Sequence, residues 1–148
     1  MAEGIMRRLV VDADLVADIL VESAGTGNWH VGERADRRAR DAAARHGISL
    51  TSRAQVFTRA DFVRFDHVIA MDQSNLTDLR RICPNKADGE KLSLLRAYDP
   101  GAPPDAEVPD PYVDGQDAFD EVFDLCHAAC RGLLARLQAM HYLPTNRG

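Results

Sequence analysis

Hydrophobic positions recur at helical spacing from the first residues of the chain. Ile5, Met6, Leu9 and Val10 share one side of a helix over residues 2–11, with Arg7 and Arg8 on the other. Residues 18–23 read as a short strand, and residues 24–32, which hold Gly25, Gly27 and Gly32, as a loop. Asp36 is placed to cap a helix that runs to His46 and stops at Gly47, where a glycine can take the left-handed conformation. The run 65–71, centred on Val68 and Ile69, is the best candidate for a buried strand. A helix starts at residues 72–75 and ends near Cys83-Pro84, residues 91–98 give a further strand, and residues 99–108 form a long loop containing three prolines. Phe119, Val122, Phe123, Cys126, Cys130 and Leu133 then fall on one stripe, so residues 117 to about 140 form a helix packed on the sheet. Alternation of helix and strand predicts an α/β fold, a parallel sheet with helices on both faces. Residues 1–140 make one domain and residues 141–148 a polar tail.

Composition narrows the class. The chain has 148 residues, 45% hydrophobic and 28% charged, enough for one domain with a sizeable core and not a disordered composition. A net charge of −5, with no basic run longer than Arg37-Arg38 or Arg80-Arg81, excludes a nucleic-acid binder. No apolar run approaches 18 residues and the sequence opens on Met1-Ala2-Glu3-Gly4, so neither a membrane span nor a leader is expected and the location is cytoplasmic. Three cysteines without metal-type spacing suit a reducing compartment. The five histidines are scattered, His46 before Gly47 reading as a helix-end cation. No metal or cofactor is implied.

Candidate chemistry centres on Val108-Pro109-Asp110-Pro111-Tyr112. A carboxylate between two prolines sits in a segment that can join neither a helix nor a central strand, so Asp110 is presented on a stiff loop. The same residues could also serve as a turn initiator.

Four motifs in order carry a resemblance. Ser23-Ala24-Gly25-Thr26, Trp29-His30-Val31-Gly32, Met71-Asp72-Gln73-Ser74-Asn75 and Asp110-Pro111-Tyr112 resemble those of the low molecular weight protein-tyrosine phosphatases, over about residues 1–138. The resemblance implies a three-layer α/β/α fold with a small parallel sheet, and phosphotyrosine proteins as substrates. It implies that Asp110 is the general acid that protonates the leaving tyrosine oxygen, and that Trp29 and Tyr112 wall the slot for the phosphotyrosine ring. An aryl ring favours aromatic walls, and a leaving phenolate benefits from a positioned acid. A tryptophan can also be a core anchor, although a glycine-rich loop is a poor place for one.

The family pattern also contains an apolar first strand leading into a loop of Cys, five residues, Arg, and then Ser-Pro. This chain resembles the family only from the residue after that loop. One formal match, Cys130 with Arg136, is rejected: six helical positions advance about 9 Å and turn about 240°, so the two side chains leave different faces. With no nucleophile and no amide cradle, Asp110 alone supplies ~10²–10⁴-fold, while phosphate monoester hydrolysis calls for up to ~10²¹. The chain as given is therefore expected to be inactive, a pseudophosphatase in form. Two departures are smaller: Ser52-Arg53-Ala54-Gln55-Val56 stands where many members carry His-x-Ala-Arg-Gln supporting the phosphate loop, and Val113 replaces a tyrosine common after Asp-Pro-Tyr.

Two explanations stay open: a phosphatase whose assigned start falls too late, and a loop-less homologue retained as an interaction or oligomeric protein. An arsenate reductase on the same fold is a remote third, since it needs a relay of nearby cysteines. The resemblance places the absent strand centrally, between the strands ending at Ser23 and Met71. Four buried side chains at ~1.5–3 kcal/mol each set roughly 6–12 kcal/mol against a domain stability of ~5–15. The gap is expected to be filled by rearrangement or by another chain, with self-association through exposed sheet edges favoured.

Overall fold

The longest helix organises the rest. In the computed structural model, which describes residues 1–27, 30–111 and 115–145, six α-helices and two strands are present among those residues. They are α1 (Ala2–Asp12), α2 (Arg37–Ala44), α3 (Asp61–Arg64), β1 (Val68–Ala70), α4 (Gln73–Ile82), α5 (Lys86–Gly89), β2 (Leu92–Leu94) and α6 (Gln116–Met140), with a 3₁₀ turn over Leu95–Tyr98. The predicted stripe of α6 buries Phe119, Val122, Phe123, Cys126, Cys130 and Leu133. Against it pack Ile5, Met6 and Val10 of α1, as the spacing of those residues predicts. Gly132 allows α6 to meet the 3₁₀ turn, because a Cβ there would run into the Tyr98 carbonyl oxygen.

β1 and β2 pair in parallel, Val68 with Leu92 and Ala70 with Leu94. Side chains alternate across the sheet. Val68, Ala70 and Leu94 join Phe62, Leu76 and Leu79 in a core under α3 and α4, whereas Ile69 and Met71 pack against the core of α1 and α6. Helices thus cover both faces, giving the expected α/β arrangement. Capping follows the sequence: the Asp36 side chain accepts from the Arg38 amide at 2.8 Å, the Asp72 side chain from the Asn75 amide at 2.7 Å, and Gly47 has φ +74°. After α6 the chain folds back, with the Leu143 amide donating to the Gln138 carbonyl at 2.9 Å and the Leu143 side chain packing on the main core.

Two strand expectations are corrected. Residues 91–98 are not one strand: β2 ends at Leu94 and the chain turns, which buries Leu95 and lets the Tyr98 hydroxyl and Ser93 Oγ bond at 2.8 Å. Residues 18–23 form no strand, because none of the described residues pairs with them. Their carbonyls are taken by side chains: Val21 by the Arg7 guanidinium at 2.9 and 3.1 Å, and Ser23 by Gln55 Nε2 at 2.8 Å. Nearby, among the described residues, only Gly25 makes a parallel bridge, to Val56.

Between residues 18–26 and β1 lies a cavity of about 490 Å³. Among the described residues no backbone hydrogen bond crosses it, so the two flanks have not closed on each other.

Candidate active site

Ligands of open α/β sheets collect at the carboxyl ends of the strands, and the loop bearing Asp110 is tied there. The Val108 amide donates to the Met71 carbonyl, one residue beyond β1, at 2.8 Å. One residue earlier, Glu107 Oε2 accepts from the Gln73 amide in the first turn of α4 at 2.7 Å, and the Glu107 carbonyl accepts from Arg96 Nη1 at 2.9 Å. β1, α4 and the 3₁₀ turn therefore each hold the loop by one bond. Val108 is buried, and two residues on, between its prolines, Asp110 is exposed. Trp29 and Tyr112, expected as the walls of the ring slot, lie outside the described residues, as does Val113.

The glycine-rich loop is fixed at both sides by residues 53–57. On the near side the Gly25 amide donates to the Gln55 carbonyl at 2.7 Å and the Phe57 amide to the Gly25 carbonyl at 2.8 Å. On the far side the Gly32 amide donates to the Ala54 carbonyl at 2.8 Å, and Gly32 has φ +84°, a conformation that favours glycine. Arg53 Nη1 adds a bond to the Gly32 carbonyl at 3.1 Å.

One acid of this region escaped sequence reasoning. Glu3 is buried, and both its oxygens are satisfied: Ser23 Oγ donates to Oε1 at 2.9 Å, Ser52 Oγ to Oε2 at 2.9 Å, and Arg7 Nη2 stands 3.4 Å from Oε2. The first turn of α1, the end of segment 18–23 and the segment around Ser52 meet on this one carboxylate. A second cavity of about 220 Å³ adjoins it, reached by Arg34 and Ser52. A Glu on the polar side of a predicted helix gives no sign of burial; the one clue was Ser52 at the position where the family pattern has histidine.

The thiols are placed away from this end. Burial pushes Cys126 up to about 11 and Cys130 to about 12, so both are protonated at neutral pH. Arg136 is exposed on α6 while Cys130 is 1% exposed, as the helical geometry requires. Cys83 follows the last residue of α4, where its Sγ bonds the Asn85 carbonyl at 3.2 Å. Ten helical residues separate it by about 15 Å from the end of α4 that meets Glu107. The site thus presents a carboxylate on a braced loop, with Cys126 and Cys130 buried and protonated and Cys83 at the far end of α4.

The model of the family described as low molecular weight phosphotyrosine protein phosphatase matches residues 1–142. A low molecular weight protein-tyrosine-phosphatase of Streptomyces coelicolor is 45% identical over 139 residues, covering 93% of this chain and 85% of the relative. Low molecular weight phosphotyrosine protein phosphatase 2 of Drosophila melanogaster is 43% identical over 141 residues, covering 93% and 84%. Among solved structures, a protein tyrosine phosphatase from Entamoeba histolytica with Hepes in its active site superposes with a TM-score of 0.89 at 30% identity, over 95% of this chain and 88% of that one. YfkJ from Bacillus subtilis gives a TM-score of 0.86 at 33% identity, over 94% and 86%.

Proposed function

Because the chain belongs to the low molecular weight phosphotyrosine protein phosphatase family, we propose that it carries the acid and the substrate slot for phosphotyrosine hydrolysis but does not turn over as residues 1–148. Asp110 is the general acid for the leaving phenolate, and Trp29 and Tyr112 wall the ring slot. Phosphotyrosine proteins are the matching substrates.

The observation that carries the inactive reading is the state of the thiols. Phosphoryl transfer through a cysteine needs a thiolate beside amide donors. Cys126 and Cys130 are buried and protonated, and Cys83 sits at the far end of α4. General acid catalysis of ~10²–10⁴ does not approach the ~10²¹ that monoester hydrolysis can require. An arsenate-reducing relay has no better support, since it too needs accessible thiols close together.

Hydrolysis of an aryl phosphate by this chain, beside Asp110→Asn, tests the reading. Absence of turnover in both supports it. Turnover that falls with Asp110→Asn would overturn the inactivity and keep the acid; turnover indifferent to that substitution would overturn both. A second reading, an interaction protein retained without catalysis, is favoured by one feature, the open apolar cavity between residues 18–26 and β1.

A further inference from the structure

The five histidines are scattered along the sequence, and the fold brings two of them together. His67 immediately precedes β1 and His141 immediately follows α6. Their Nε2 atoms lie 2.9 Å apart, with the ring planes at 88°. Of the others, His46 and His127 each stack on Phe123, and His30 Nδ1 bonds Glu33 Oε2 at 2.8 Å. Between His67 and His141 one Nε2 donates and the other accepts, so the accepting ring is neutral. His141 is exposed and His67 half-buried, so water competes for this bond and it contributes little as a tie. Both rings line the cavity of about 490 Å³, together with Asp18, Glu22, Asp61 and Asp66. Arg64 lines it too, but is itself paired with Glu22 at 3.4 Å and Asp61 at 3.0 Å.

We propose that His67 and His141 bind one divalent transition-metal cation of the Ni²⁺ or Cu²⁺ type through their two Nε2 atoms. At metal–imidazole distances of about 2.0–2.1 Å, two nitrogens on one metal stand about 2.9 Å apart at a right angle and about 3.3 Å apart at the tetrahedral angle. The pair matches the right angle, which suits tetragonal Cu²⁺ and Ni²⁺ rather than Zn²⁺, and imidazole does not suit Mg²⁺ or Ca²⁺. The rings face one another end to end, with centroids 5.2 Å apart. On binding, the donor ring's proton therefore moves to its Nδ1 and both lone pairs turn to the same side, with no net proton gained or lost. His141, exposed beyond the end of α6, is the ring free to turn. No group of three or more His, Cys, Asp or Glu that could hold a metal occurs among the described residues. Water therefore fills the remaining positions, and the carboxylates of the cavity add attraction from a distance.

Calorimetric titration of the untagged chain with Ni²⁺, beside His67→Gln and His141→Gln, tests the site. One Ni²⁺ per chain is expected. Affinity should fall about tenfold or more in either variant, since even the outer partners of a metal ligand are worth 10–100-fold. In the parent, Ni²⁺ should raise the melting temperature with concentration. Being paramagnetic, it should also broaden the ring proton signals of His67 and His141 ahead of those of His30, His46 and His127. Because the His141 side chain is exposed, His141→Gln reads the site on a folded chain whatever His67→Gln does to stability. No binding up to about 1 mM Ni²⁺ would overturn the proposal, as would earlier broadening of another histidine. A His141→Gln variant that melts lower yet binds Ni²⁺ like the parent would overturn it too, leaving the pair a structural tie.

Discussion

The Val108 amide and the Met71 carbonyl are joined at 2.8 Å, and this bond ties the end of β1 to the loop that carries Asp110 two residues later. Its neighbour Glu107 caps α4 through the Gln73 amide. Glu107→Ala is expected to cost ~0.5–2 kcal/mol in urea denaturation, the range for losing a helix-start acceptor. Glu107→Gln keeps an acceptor oxygen and should cost less than the alanine. Equal losses for both would show that the charge, not the bond, matters.

Gly132→Ala sets two effects against each other. Helix propensity favours alanine by about 1 kcal/mol, but the new Cβ meets the Tyr98 carbonyl, part of the 3₁₀ turn that lies on α6. Overpacking of this kind costs ~1–3 kcal/mol. Backbone yields less readily than a side chain, so a net loss of stability is expected, and a variant as stable as the parent by thermal melting would refute the close approach.

His67 and His141 meet Nε2 to Nε2 at 2.9 Å. Burial of His67, then the charge of His141, lowers its pKa from the ordinary 6.5, against an opposing pull from Asp66. A base with a depressed folded pKa binds fewer protons folded than unfolded, so its favourable contribution is present above about pH 6.5 and is lost as pH falls from there toward the lower folded value. Melting temperatures from pH 8 to pH 5 should fall less steeply for His67→Gln than for the parent. Parallel curves would remove His67 as a cause.

The thiols divide by access. In the native chain a disulfide reagent at pH 8 should modify Cys83 first, because Cys126 and Cys130 are buried and their thiols are pushed up to about 11 and about 12. All three should react once denaturant is added. Rapid native-state modification of Cys130, located by peptide mapping, would reopen the pairing of Cys130 with Arg136.

The four longer helices were legible because their signals are local, whereas the four-residue α3 and α5 are too short to show a periodic pattern. Asp36, Asp72 and Gly47 mark ends that need no distant partner, and the apolar stripe of α6 reports the face it buries. Strands failed where they depend on a neighbour: residues 18–23 have strand composition and no ladder, and residues 91–98 divide because burial of Leu95 and the bond between Tyr98 and Ser93 favour a turn. At the candidate site, Asp110 stood out through its two prolines. What braces it did not, since Met71, Gln73 and Arg96 reach the loop across 11 to 37 positions of sequence. Glu3 was hidden for the same reason, its serine partners lying 20 and 49 residues away. Gly132 did carry a signal, because a glycine inside a good helix costs stability unless something needs the space.

The pairing of α1 with α6 also sets the order in which the protein can be made. Ile5, Met6 and Val10 find cover on residues 116–140, more than a hundred positions later in the chain. At about 5–20 residues per second, α1 waits roughly 6–30 s with its apolar side uncovered. The contact between α1 and α6 therefore cannot form until residues 116–140 have been made.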